Sequence, residues 1–302
     1  MKKMTIALFT AAAMGTSGFA VAQTGPDFSG DIRINNTDGN TNTLTVQRIR
    51  LEVSGAGEPT VGTETFYYLR FAGDREDDVS GNGADVRRDY GYIGLRGEMG
   101  QISAGFDDDL VYKFAGAQTD VFRSQLPGSG DDLGDSAAGF TTYSTGHGTF
   151  EDPSVQGEVN VGIVTLAGYA DTSEGNGLER VQVAGSIDLS PLTVAAVYSQ
   201  RDTTPNTNDS EYYLSGGYDA GLFSVGAHVG RTEIDTNPYG FAVSIPVNGN
   251  ISTAIGYGDN DNGLADAMGQ VIYDLGGGLD VFANYRTGDS EDGLLVGAQY
   301  TF

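Results

Sequence analysis

The side chains best suited to do chemistry in this sequence are carboxylates and guanidiniums, and they sit in different settings. Asp107, Asp108 and Asp109 stand in a row directly after the segment QISAGF, and Asp120, Asp131, Asp132 and Asp135 follow in the same polar stretch. Arg33, Arg48, Arg50, Arg70 and Arg96 fall instead inside short alternating segments. Carboxylates clustered in a loop suit a hard cation such as Ca2+. A row of Asp facing a row of Arg across water sets up a transverse field, which ions cross more easily than apolar solutes. Covalent chemistry has far less to work with. The chain has 2 histidines, His147 and His228, and 0 cysteines. Neither histidine has a Ser or Asp partner at a motif spacing, and no nucleophile elbow is present, so no catalytic residues and no enzyme are expected. His228 shares the polar side of its segment with Ser224 and Gly226 and reads as an ordinary wall residue. The run Gly258–Gly263 (GDNDNG) is similar to the start of a calcium loop, but it has Gly263 where a ligand is wanted and no closing glutamate. No cofactor is expected, and loop-bound Ca2+ is the one metal to consider.

The charge balance narrows the partners. With 41 acidic against 16 basic residues the formal net charge is -25, which excludes nucleic acid, since duplex binding rests on a positive footprint. Lys2 and Lys3 precede an apolar run from Ile6 to Met14, and small residues end it at Ala20-Val21-Ala22. That pattern predicts a signal peptide over residues 1–22, with cleavage before Gln23. The apolar run is too short for a membrane-spanning helix, which needs about 20 residues. Residues 23–302 then form one exported domain that must be stable without disulfides.

The elements that would position these groups are strands. Sixteen alternating segments are expected, at Asp27–Asn35, Leu44–Ser54, Thr63–Gly73, Arg88–Gly97, Gln101–Phe106, Ser154–Val161, Ile163–Asp171 and Leu178–Asp188 in the first half. The second half continues with Leu192–Arg201, Ser210–Asp219, Leu222–Arg231, Asn237–Ile245, Asn248–Gly258, Leu264–Asp274, Leu279–Thr287 and Leu294–Phe302. Such a chain fits either a soluble β-sandwich array or an outer-membrane barrel, and the connections separate the two. Short turns such as Glu98–Gly100, Gly162 and Gly276–Gly278 take turns with long polar loops such as Asp74–Arg87 and Asp202–Asp209. A bacterial transmembrane barrel alternates this way, with an even number of strands. The longest loop runs from Asp107 to Pro153; its part 107–139 is expected to fold inward. Phe140–Thr145 (FTTYST) alternates weakly and is assigned to that loop or to an early start of the sixth strand.

Parity then assigns the faces. Ile49, Leu51 and Val53 oppose Arg48, Arg50 and Glu52; Leu69 and Phe71 oppose Tyr68 and Arg70; Ile32 and Ile34 oppose Asp31 and Arg33. Ile93 and Leu95 likewise oppose Tyr92, Gly94 and Arg96. An arginine facing lipid at mid-membrane costs about 2–4 kcal/mol, and five of them would cancel most of a stability of roughly 5–15 kcal/mol. The arginines are therefore expected to face water inside a 16-stranded antiparallel transmembrane β-barrel, wide enough for an aqueous channel.

The run DYGYIGLRGEMGQISAGFDDD, the long third loop and the C-terminal GAQYTF resemble the Gram-negative general porins, most closely the alphaproteobacterial type. The resemblance implies passive diffusion of ions and small hydrophilic solutes, a homotrimer, and an outer-membrane setting of lipid and lipopolysaccharide. It implies that Tyr300 and Phe302 form a terminal signal read by the barrel assembly machinery. The family's basic wall would map onto Arg33, Arg48, Arg50 and Arg70, and its acidic loop onto Asp107 through Asp135. The PEFGG-like motif of the enteric porins is missing. A substrate-specific channel, or a structural or adhesin barrel without steady conductance, stands as the alternative.

Overall fold

The computed structural model describes residues 26–37, 44–57, 62–74, 85–122, 136–137, 153–173, 177–204, 207–232, 236–259, 265–288 and 293–302. The expected signal peptide, Asp131, Asp132, Asp135, His147 and Phe140–Thr145 lie outside the described residues, as does the GDNDNG run from position 260 onward.

Alternating sequence becomes antiparallel strand throughout. The first half holds β1 (Asp27–Thr37), β2 (Leu44–Ala56), β3 (Thr63–Asp74), β4 (Asp85–Gly97) and β5 (Gly100–Phe106), then two short strands β6 (Asp120–Phe122) and β7 (Ser136–Ala137), then β8 (Ser154–Val161) and β9 (Val164–Ser173). The second half holds β10 (Gly177–Asp188), β11 (Leu192–Thr204), β12 (Thr207–Asp219), β13 (Ser224–Arg231), β14 (Tyr239–Pro246), β15 (Ile251–Asp259), β16 (Ala265–Gly276), β17 (Leu279–Gly288) and β18 (Gly293–Thr301). All but β6 and β7 join one closed barrel of sixteen strands. Closure is made by β1 against β18, with Arg33 opposite Gln299, and Gly30 and Phe302 exchange backbone hydrogen bonds at 3.1 and 3.0 Å. A closed sheet has no unpaired edge, so every strand can satisfy its backbone in hydrocarbon.

The barrel is apolar outside and polar inside. Ile93, Val183, Leu214 and Ile255 are each more than half exposed, while the alternate positions bury Arg33, Gln182, Ser199 and Gln270. Chains in water bury their apolar face; here hydrocarbon is the outer solvent, so the pattern inverts.

Four of the short connections use one device. The side-chain oxygen of Asp188, Asp219, Asn248 or Asp274 accepts the backbone N–H two residues on, at 2.7–2.9 Å. Asp and Asn favour such turns because their short side chain substitutes for a backbone acceptor. This trims two expected strands. Asn248 also accepts from the Ile251 N–H at 2.9 Å, so β15 begins at Ile251 rather than Asn248. Likewise β13 begins at Ser224, because Ala220–Phe223 closes a turn. Between β16 and β17, Gly276, Gly277 and Gly278 have φ of 84°, 66° and 87°, a left-handed run that only glycine adopts without strain.

Candidate functional site

Directly after β5 the chain meets the polar wall of the barrel. Asp109 caps a five-residue helix α1 (Leu110–Phe114), its carboxylate accepting the Tyr112 N–H at 2.8 Å. A 3-10 turn over Gly116–Gln118 follows, and then β6. From Asp109 to Phe122 the segment crosses the polar face of the barrel strand by strand. On β10, Gln182 accepts the Leu110 N–H at 2.7 Å and donates to Asp109 at 3.0 Å. On β12, the Ser215 hydroxyl donates to the Phe114 carbonyl. On β13, Gly226 leaves room for the Gln118 carbonyl, and His228 Nδ1 stands 3.2 Å from the Thr119 hydroxyl. Beyond that, Phe122 packs on Ala242 and Ala254 and over Gly256, and Gln270 donates to the Val121 carbonyl at 3.2 Å. Small wall residues, Ser215, Gly226, Ala242 and Gly256, form the groove in which the segment lies.

The three consecutive aspartates have three different partners. Asp107 pairs with Lys113 at 2.6 Å, and Lys113 also donates to Gln156 at 2.8 Å. Asp108 accepts the Tyr90 hydroxyl at 2.6 Å. Asp109 forms an ion pair with Arg180 at 3.2 Å, both side chains under a tenth exposed. Burial, reinforced by the Asp107 carboxylate beside it, pushes the Asp108 carboxyl up to about 7. Asp120, further along, accepts from the Tyr112 hydroxyl.

Four of the five arginines singled out in the sequence, Arg33, Arg48, Arg50 and Arg70, lie on β1–β3. Arg33 is 1% exposed and donates twice to Gln299, at 3.2 and 3.0 Å. Arg50 is buried and sits opposite Asp31, and Arg70 sits opposite Glu52. Arg48 takes the register position between Arg33 and Asp74. Arg70 also lies 3.7 Å above the Tyr90 ring, so Tyr90 stands between it and Asp108. Arg96 is apart from this group. It pairs with Glu64 at 2.7 Å beside the β4–β5 turn, six residues and so about 20 Å along β4 from Tyr90. Tyr90, Arg180 and Gln182 carry no motif in the sequence that sets them apart from other polar-face residues of their strands, and Tyr68 and Tyr92 are marked there only by parity. Tyr300 and Phe302 stack on each other at 6.2 Å on the outer face at the closure seam. Among the described residues no group of three or more metal-ligating side chains stands together.

A closed sixteen-stranded barrel with an ordered segment lying across its polar inner wall is paired with a family match over most of the chain. The model of the Gram-negative porin family matches residues 9–293. The chain belongs to the Gram-negative porin family. The porin is thus an outer-membrane channel protein by family. Its fold is similar to a mutant of Rh. blastica porin, at 14% identity, TM-score 0.68, covering 92% of this chain and 100% of that one. It is also similar to Salmonella typhi OmpF in complex with daunomycin, at 15% identity, TM-score 0.69, covering 92% and 97%. Among curated proteins none matches the porin in sequence.

Proposed function

We propose that this porin lets ions and small hydrophilic solutes diffuse passively through a water-filled lumen, filtered by size and charge where residues 107–122 narrow it. The observation that carries this reading is the row of contacts from Asp109 to Phe122 across the polar wall, which holds a carboxylate-bearing segment inside the barrel. Asp107, Asp108 and Asp120 carry the negative side of the filter, and Asp109 anchors the segment to Arg180. Arg33, Arg48, Arg50 and Arg70 carry the positive side, with Arg96 at the mouth near the short turns. No cofactor takes part, and Ca2+ held by the external loops would be structural.

The same reading takes residues 1–22 as an export signal removed before Gln23, Tyr300 and Phe302 as the assembly signal, and a homotrimer embedded in lipid and lipopolysaccharide as the working form. Planar-bilayer recording tests it. Stepwise ohmic conductance is expected, with a cation preference that falls when Asp107 and Asp108 are both changed to Asn. Unchanged reversal potentials would remove the two carboxylates from the filter, and absence of steady conductance would favour a structural barrel.

A further inference from the structure

A second feature of the lumen lies on β3 and β4, between the short-turn mouth and Asp108. Phe66 and Tyr92 meet edge to face with centroids 6.2 Å apart, Tyr92 stacks on Tyr68 at 5.4 Å, and Tyr68 meets Tyr90 edge to face at 6.1 Å. All four project from the side of the sheet opposite the exposed Leu69, Ile93 and Leu95. Tyr90 is buried under Asp108, whereas Phe66, Tyr68 and Tyr92 are partly exposed. The Phe66 ring is seated over Gly94, where an added Cβ would come within 2.4 Å of it. From Phe66 to Arg70 the ladder runs about 13 Å along the strand.

Aromatic rings on a wetted wall offer flat apolar surface to a solute that has an apolar face of its own. The ladder's charges decide which solute. Arg96 lies over Phe66 at 5.4 Å and is paired with Glu64; Arg70 lies over Tyr90 and opposite Glu52. Each of the two guanidiniums already faces a carboxylate, so the charges along the ladder offset one another and give little pull on either a cation or an anion. What remains is a neutral solute that stacks a C–H face on Tyr68 and Tyr92 and hydrogen-bonds the edging groups, Glu52 and Arg70 among them. Pyranose rings have that combination, and the ladder is long enough for more than one.

We propose that the Phe66–Tyr92–Tyr68–Tyr90 ladder is a binding track for neutral oligosaccharides passing the constriction, an inference that rests on the channel reading above. Maltotriose added stepwise to a conducting bilayer tests it, with polyethylene glycol of similar mass as a control for size alone. Folding of each variant is checked by heated against unheated gel mobility. Saturable block of the wild-type current by maltotriose, absent with polyethylene glycol, is expected. The double variant Tyr68→Leu/Tyr92→Leu should need about ten-fold more sugar for half block, and Tyr68→Phe/Tyr92→Phe should stay close to wild type, since the flat ring and not the hydroxyl is the contact. Block that never saturates in wild type, or that is the same in the Leu variant, overturns the track while normal ion conductance leaves the porin reading intact. Absence of conductance in the wild type overturns both.

Discussion

The Tyr90 hydroxyl donates to Asp108 Oδ1 at 2.6 Å, which ties the inner wall at β4 to the start of the segment that runs along the wall from β10 to β16. Because Arg70 lies over the same ring, one tyrosine couples the arginine cluster to the acidic run.

With Asp108 in the proposed filter, a pH-dependent selectivity near neutrality is expected. Burial and the Asp107 charge disfavour its ionised form, so it is protonated below about pH 7 and charged above. Cation preference measured by reversal potential should therefore fall as pH is lowered from 8 to 6, and Asp108→Asn should abolish that change. Tyr90→Phe removes a hydrogen bond that favours the carboxylate and should move the midpoint upward. The folded state also binds this proton more tightly than the unfolded chain, so the group's contribution to stability declines as pH rises from about 4 to 7.

In the proposed filter, Lys113 offsets part of the negative charge by pairing with Asp107. Lys113→Gln should raise cation preference at pH 8 while conserving the helix, because Lys113 lies on the last turn and makes no capping bond. Reversal potentials in a salt gradient read this directly, and an unchanged value would place Asp107 outside the ion path.

The seat on β13 is tight. A methyl group at Gly226 would fall 1.6 Å from the Gln118 carbonyl oxygen, so Gly226→Ala must lift the segment off the wall. A change in single-channel conductance and noisier open current are expected. Gly168→Ala, where nothing lies within 4 Å, should be silent.

The Asp109–Arg180 pair is a buried ionic anchor for the segment. Breaking a buried pair from one side costs about 3–5 kcal/mol, since the remaining charge is left without compensation. Arg180→Leu should loosen the segment more than Asp109→Asn, which leaves the helix cap in place. Conductance histograms and protease cleavage within 107–122 would rank the two.

Period-2 parity made the barrel legible from sequence, because two solvents act on alternate side chains and Ile49 and Arg50 have opposite preferences. Parity gives the face of a residue but not its height, which is why Arg96 grouped with the wall arginines on paper and lies beside the turn in the structure. Helix α1 is five residues long, too short for a 3.6-residue period to register; the one local signal is Asp109 three residues before Tyr112. The partners of the aspartates were not legible either. Asp109 meets Arg180 across 71 residues, once β5, β8, β9 and β10 lie side by side, and Asp108 meets Tyr90 across 18 at the open end of the β4–β5 hairpin, where strand register decides the partner.

Adjacent side chains on β3 test the central claim most directly. The chain has no cysteine, so Tyr68→Cys and Leu69→Cys each carry a single thiol. In a bilayer, a charged water-soluble thiol reagent should step down the current through the Tyr68→Cys channel and leave Leu69→Cys unchanged, because hydrocarbon covers the outer position. Modification of Leu69→Cys with Tyr68→Cys unaffected would mean that the faces are reversed and that no aqueous lumen runs along this wall.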